Sequence, residues 1–562
     1  MVAADHVGVS GTVSGVSVSY NPAGGRADAK MPKAFGPAPF AGGGPTFTMT
    51  GGLLPRTVIM RGRSFWALAA AVVSAAAGCI NVNTFIGGRQ FIDEKNPGGV
   101  VKYKEWVPPA DRRYIRTAEA GWVAYTAEEH DAVARLAAAG RPAGQAPKPL
   151  SAANVVVVRS PLVHWESADN VFEDSPSLRA LDSWAAAGRW VGLRIDCTRR
   201  ADAPAHLVRD VKPVTAIDGG PPKFWDGDYQ GHHERLLRAV ADRLRRNPAA
   251  LALVIVTGAD WDAPYGFPAA GLPDGEHKKL VEYFVTMYQS VFGGKGPDGR
   301  PEFPNARFFI SAGAITRNTT HARELSAWLR SRRVGVMLDR KAAPDTGQGP
   351  AEELPEGWTG RDGVMLGEGF AELWGADGAG PAFDRTAARM QPRYAVLAPS
   401  PDRSQSVCSE HGARLEEIGA RMGPRIRVAK ALIPIRVDSR KPMEVRLTWV
   451  NEGTVPPADP YQVMVNFVTT AGDADPSAFV GDLPDDGGKA VPVGNWTAGF
   501  EKTFALKLTS PSVPVGGGEP EFSLTVALVA GPQPEARKLP LPIADPSPRF
   551  GCYNVGKLKV GS

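Results

Sequence analysis

Cysteine is scarce in this chain. Four thiols (Cys79, Cys197, Cys408 and Cys552) are spread over 562 residues. No C-x-x-C pair brings two of them to metal-binding or redox spacing, which excludes a disulfide scaffold and a cysteine-built zinc site. An excess of one charge sign is also missing. The 64 Lys+Arg nearly balance the 59 Asp+Glu, for a net charge of +5. With no concentrated basic stripe, nucleic acid is not an expected partner. No G-x-S-x-G elbow occurs, so serine-hydrolase chemistry has no support. No apolar run reaches the roughly 18–20 residues that a membrane-spanning helix needs, and no repeat of solenoid period is visible. Glycine and proline are plentiful instead, at 63 and 50 residues, which announces many turns and long loops. A hydrophobic share of 43% with 22% charged residues excludes collagen, a coiled coil and a wholly disordered chain.

Residues 60–79 read MRGRSFWALAAAVVSAAAGC. A Met with Arg61 and Arg63, an apolar stretch and small residues before Cys79 have the order of a secretory signal peptide. The ending Ala76-Ala77-Gly78-Cys79 is similar to a bacterial lipobox, in which the cysteine is lipidated and becomes the first residue. Leu is usual where Ala76 stands, so an unmodified signal peptide and a short buried helix remain alternatives. Export to the cell envelope or the exterior is expected, with membrane attachment if Cys79 is modified. Residues 1–59 lie upstream of this signal and are rich in Gly, Ala, Pro and Ser. They are expected to reflect a start assigned too early, with Met60 as the true first residue, or a disordered arm.

From Gly98 onward, short β-branched runs alternate with helical patterns. The runs fall at 100–107, 154–162, 190–197, 251–258, 306–313, 334–340, 363–369 and 393–399. Several are continuous apolar stretches, the pattern of strands buried on both faces. Helices are expected at 127–139, 175–187, 232–246, 277–292, 320–332 and 411–422, with weak segments at 351–358 and 384–390. Gly188 stands where a left-handed residue would end the second of these. Eight such units over 95–423 predict a (β/α)₈ TIM barrel with lengthened loops. An open doubly wound sheet is the competitor, but no G-x-G-x-x-G follows its first strands. After Pro424 the helical pattern stops. Alternating runs at 444–451, 461–468, 503–510, 522–529 and 552–560 predict an antiparallel β-sandwich over 424–562, whose apolar strands around Trp449, Phe467 and Phe504 are expected to cover the barrel wall.

A barrel builds its active site from the carboxyl ends of its strands. Read there, strand two supplies Arg159, Trp165 and Glu166, and strand three supplies Arg194 and Asp196. Strand four is followed by Asp260, Trp261 and Asp262. Asp339 ends strand six, Glu368 ends strand seven, and Glu372 and Trp374 lie just beyond. The loop after strand three holds Trp225 and Tyr229. Carboxylates among indole and phenol rings suit carbohydrate, because sugar C–H faces pack on aromatic rings and glycoside cleavage needs two carboxyl groups. The plainer roles stay open beside these. Glu368 could bind a loop amide, Asp260 or Asp262 could cap a turn, Asp196 and Asp339 could pair with strand-end arginines, and Trp225 and Tyr229 could close the loop core. The His232-His233 pair is read as exposed helix-start residues, because neighbours on a helix point about 100° apart and no carboxylate follows at i+4. No metal site and no cofactor are expected.

The motifs NPGGVVKY (96–103), R-x5-WE (159–166), GRWVGLRI (188–195), TGADW (257–261), GVMLGEG (363–369) and LTWVNEGTVPP (447–457) resemble the barrel-plus-sandwich proteins of the domain-of-unknown-function 4832 type, relatives of the clan A glycoside hydrolases. The resemblance spans roughly residues 95–562. It implies an acid/base at Asp260 or Asp262 and a nucleophile at Glu368, working by a retaining two-carboxylate mechanism on a polysaccharide or oligosaccharide. The chain departs from the clan pattern after strand four, where Ala259-Asp260 replaces the usual Asn-Glu. That departure motivates the alternative of a non-catalytic glycan-binding surface lipoprotein.

Overall fold

The computed structural model describes residues 11–13, 16–20, 46–50, 56–59, 102–139, 150–213, 220–257, 272–296, 299–318, 320–338, 354–355, 358, 363–367, 389–398, 401–469, 474–485, 487–513, 518–530, 537–544 and 552–561. Upstream, β1 (Gly11–Val13), β2 (Val16–Tyr20), β3 (Thr46–Thr50) and β4 (Arg56–Ile59) pair in order as an antiparallel meander. Among the described residues, no helix is long and apolar enough to cross a membrane. The segment read as a signal peptide, with Cys79, lies outside the described residues.

β5 (Tyr103–Trp106) was expected to open the barrel, and it does not. It pairs antiparallel with β14 (Ile426–Pro434), setting Trp106 opposite Ala431 and Tyr103 opposite Pro434. Three of its four residues are exposed, which suits the edge of a sandwich sheet and not a strand covered on both faces. The first barrel strand is β6 (Gly121–Thr126), buried throughout. Its opening residue, Gly121, has φ +126°, and a Cβ there would run into Tyr114 Oη and the Asn154 side chain. Only glycine enters the strand at that angle against those neighbours.

The barrel then proceeds as read. β7 (Val155–Pro161), β8 (Trp190–Asp196), β9 (Leu251–Val256), β10 (Arg307–Ser311), β11 (Val334–Leu338), β12 (Val364–Leu366) and β13 (Tyr394–Val396) follow β6 in parallel pairs, and β13 closes on β6. Alternation sorts the side chains of each strand. Val123, Tyr125, Val155, Val157, Ile255, Phe309, Met337, Met365, Tyr394 and Val396 fill the interior. Trp122, Val156, Val158, Leu193, Val254, Ile310, Val336 and Leu366 face the helices.

Helices α1 (His130–Ala138), α2 (Pro176–Ala186), α3 (Ala205–Asp210), α4 (Gly227–Leu244), α5 (Asp274–Phe292), α6 (Gly313–Thr316), α7 (Ala322–Ser331) and α8 (Pro401–Gly419) wrap the ring. Ser175 caps α2 by accepting from the Leu178 amide at 3.3 Å. Gly188 ends the helical turn at φ +74°, with Arg189 N donating to Trp184 O at 3.1 Å. The segments expected at 351–358 and 384–390 lie mostly outside the described residues. Cys197 and Cys408 are buried and form no disulfide.

The sandwich joins two sheets. One has the order β21 (Glu501–Thr509), β16 (Pro442–Asn451), β14, β5. The other has the order β15 (Arg436–Asp438), β24 (Tyr553–Gly561), β22 (Glu521–Ala530), β17 (Gln462–Thr469), β18 (Ala474–Gly481), with β23 (Arg537–Leu539) beside β22, and the short strands β19 (Leu483–Pro484) and β20 (Ala490–Val491) pair with each other. Trp449, Phe467 and Phe504 pack between these sheets in the sandwich's own core. They do not cover the barrel wall, because both sheets turn an apolar face inward.

The sandwich meets the barrel at the amino-terminal ends of its strands. Arg393, just before β13, donates to Pro456 O at 2.9 Å, and Arg307, at the start of β10, pairs with Asp459. The opposite, carboxyl-terminal end of the ring carries Arg159, Arg194 and Asp196.

Candidate functional site

Asp196 ends β8 and Arg159 lies in β7, and parallel register sets Arg159 opposite Arg194. Arg159 Nε donates to Asp196 Oδ2 at 2.6 Å, and Arg194 Nε donates to Asp196 Oδ1 at 3.0 Å. Each carboxylate oxygen therefore faces its own guanidinium. Both arginines flank the Tyr125 ring, at 5.3 and 5.8 Å from its centroid, within cation–π range. Arg194 also reaches the Tyr125 hydroxyl at 3.4 Å and, across the ring of strands, Met337 Sδ at 3.8 Å. The three charged side chains keep between 13% and 26% of their surface. They form a rigid polar floor at the mouth, open enough to meet a ligand. Both Asp196 oxygens accept from guanidinium groups, so the carboxylate fixes where the two arginines present their remaining donors.

Other expected site residues went elsewhere. Trp165 is completely buried, and its indole N–H donates to Ser160 O at 3.3 Å. It packs in the layer between strands and helices and offers no face to a sugar, because the short turn Leu162–Trp165 tucks it under the chain. Tyr229 is also buried, stacked on His233 with centroids 6.0 Å apart, and burial raises its phenol well above the usual value. Trp225 is partly buried and meets Phe224 edge-on at 4.9 Å, closing the loop core. Glu166 faces His232 and not the mouth. Asp260, Trp261, Asp262, Asp339, Glu368, Glu372 and Trp374 lie outside the described residues.

The histidine pair needs a correction. His232 and His233 are both fully buried, since α4 turns the face carrying Tyr229, His232, Leu236 and Val240 to the barrel. They do point apart. His233 Nε2 meets the Tyr288 hydroxyl at 3.0 Å, and that hydroxyl lies 3.1 Å from Thr257 Oγ1. Burial, reinforced by His232, holds the His233 imidazole down to about 3 and keeps it neutral. His232 Nε2 pairs with Glu166 Oε1, and His206 lies beside both, with its ring centroid 5.3 Å from that of His232. The carboxylate absent at i+4 is supplied from 66 residues upstream, a distance that helical spacing does not probe. His206 gave no local signal at all.

A closed parallel ring of eight strands with a polar carboxyl-terminal mouth defines a (β/α)₈ TIM barrel, here joined to an antiparallel β-sandwich. Glycoside hydrolases stand among its structural neighbours. The chain is similar to the glycoside hydrolase family 30 subfamily 8 xylanase Xyn30A from Clostridium acetobutylicum, with 11% identity over 71% of this chain and 96% of that one and a TM-score of 0.32. It is similar to the catalytic domain of a β-amylase from Paenibacillus polymyxa, at 9% identity, 54% and 100% coverage and a TM-score of 0.32. A third neighbour is a Cellulomonas fimi endo-β-1,4-mannanase double mutant, at 11% identity, 75% and 97% coverage and a TM-score of 0.25. The fold assignment rests on the closed ring itself and not on these superpositions. No protein-family model matches the chain, and no curated protein matches it.

Proposed function

We propose that the protein is a secreted or lipid-anchored, glycoside hydrolase-like protein that takes a polysaccharide or oligosaccharide at the carboxyl-terminal mouth of its barrel. The observation that carries this reading is the Arg159–Asp196–Arg194 clamp on Tyr125. Fixed charges of both signs beside a ring give donors and acceptors for hydroxyls at defined positions. In this reading the clamp binds and orients, and chemistry falls to carboxylates supplied by other strand ends. Asp260 and Asp262 follow β9 in the chain, and Glu368 follows β12. Glu368 would attack the anomeric carbon while Asp260 or Asp262 protonates the leaving oxygen, then activates the water that releases the sugar. Such a retaining pair works with carboxyl groups about 5–5.5 Å apart. The resemblance to the domain-of-unknown-function 4832 type rests on the quoted motifs.

The second reading, a glycan-binding surface protein without catalysis, is favoured by one feature. Asp196, the mouth carboxylate whose position is described, has both oxygens held by arginines, which serves recognition better than proton transfer. Calorimetry and reducing-end assays on one glycan panel separate the two, because the binder gives heat without release. Attachment to a membrane through a thioether at Cys79 is supported by the order of residues 60–79. Mass spectrometry of the mature amino terminus tests it, and an unmodified Cys79 would overturn it.

A further inference from the structure

Beneath the loops that follow β7 and β8 lies a side-chain cluster that the carbohydrate reading does not use. Glu166 ends the short turn after β7, His206 is the second residue of α3, and His232 is on the buried face of α4. Three separate segments thus bring one carboxylate and two imidazoles together, with their ligating atoms within 4.8 Å of one another. Their side chains keep 5%, 8% and 0% of their surface. His206 Nδ1 stands 3.8 Å from Glu166 Oε2 and 3.4 Å from Asp169 Oδ1. Asp169 is exposed, at the rim. Both nitrogens of His206 are buried without a hydrogen-bond partner among the described residues. The Glu166–His232 contact uses His232 Nε2 and Glu166 Oε1 and leaves His232 Nδ1 and both His206 nitrogens without a hydrogen bond among the described residues, which a folded interior rarely tolerates.

We propose that Glu166, His206 and His232 bind one divalent transition-metal ion, with Asp169 or solvent completing its shell. Two imidazole nitrogens and a carboxylate are the donors of zinc and its first-row neighbours, whereas calcium and magnesium seek oxygen-only shells. A tetrahedral ion bonded at about 2.0–2.2 Å sets its ligand atoms roughly 3.3 Å apart, close to the separations around His206. The ion would tie the loop after β7 to the segment after β8 and to α4. Those are the loops above Arg159 and Asp196, so the site holds the mouth together without touching its ligand. Metal binding here is coupled to folding of those loops.

The full chain, stripped with chelator and titrated with Co(II) and then Zn(II), tests this directly. One equivalent of Co(II) with the visible absorption of a four-coordinate nitrogen/oxygen site is expected, displaced by one equivalent of Zn(II) that also raises Tm. His206→Gln and Glu166→Gln should weaken binding on the order of 100-fold or more, while His321→Ala, outside the cluster, leaves the stoichiometry at one. Wild-type protein that takes up no Co(II) or Zn(II), or a His206→Gln protein that folds and still binds one equivalent at wild-type affinity, overturns the proposal. Should neither variant fold, the wild-type titration decides alone.

Discussion

Tyr461 donates its phenolic hydrogen to Glu119 Oε1 at 2.7 Å across 342 residues of chain, and that bond joins the sandwich to the amino-terminal end of the barrel. Glu119 also accepts from the Ala458 amide at 3.3 Å and lies 3.7 and 3.9 Å from Arg307 and Arg393. Glu119 and Arg393 are each only 3% exposed. Removing the carboxylate strands a buried guanidinium, so Glu119→Ala should cost about 3–5 kcal/mol. Tyr461→Phe, which deletes one hydrogen bond but keeps the ring, should cost about 1–3 kcal/mol. Urea unfolding of both variants measures this, and a Glu119→Ala loss no larger than that of Tyr461→Phe would contradict it.

Asp196 stands between two arginines that would repel each other without it. Asp196→Asn should lower stability by about 1–3 kcal/mol and abolish glycan binding, because the arginines lose the positions they now hold. Chemical denaturation gives the first quantity and calorimetry the second. Unchanged glycan affinity in a folded Asp196→Asn protein would remove the clamp from the ligand site.

His277 sets an acid limit on stability. It sits on α5 with Asn318 Nδ2 3.2 Å from its Nδ1. Burial is the main cause that lowers its imidazole from the ordinary 6.5 to about 4, with Asp274 opposing the shift and Arg317 adding to it. Between those values the unfolded chain binds a proton that the folded chain refuses. Stability is therefore complete above about pH 6.5 and falls as the pH drops toward about 4. Tm measured over that window should decline more steeply for wild type than for His277→Gln. Parallel profiles would contradict the assignment.

Trp165 separates packing from recognition. As a fully buried core residue it should cost about 3–5 kcal/mol when cut to alanine. Trp165→Phe should leave glycan affinity unchanged, since the ring meets no ligand. A large affinity loss in a stable Trp165→Phe protein, read by calorimetry, would restore it to the mouth.

Much of this architecture was legible because buried parallel strands are apolar on both faces. The runs that became β7 through β13 needed no partner to be recognised. The first barrel strand is β6 and not the 100–107 run, for a physical reason. VVKYKEWV is β-branched and aromatic, yet Tyr103, Lys104 and Glu105 are exposed on a sandwich edge. GWVAYT is short and lies close to the α1 pattern, and its strand start depends on Gly121 meeting Tyr114 and Asn154. Ion pairing between Asp196 and its arginines was readable from their strand-end positions. The Glu166–His206–His232 cluster was not, because its members meet through tertiary packing, and composition and spacing carry no trace of that.

Reducing-end release across a broad glycan panel, run on wild type and on Glu368→Gln, addresses the carbohydrate reading at its centre. Wild type should release sugar from at least one glycan. Glu368→Gln should still bind that glycan but turn it over slower on the order of 100-fold or more, as loss of a reacting group implies. Full activity in Glu368→Gln would contradict the assigned nucleophile, and a wild-type protein that neither binds nor cleaves any glycan would contradict the account itself.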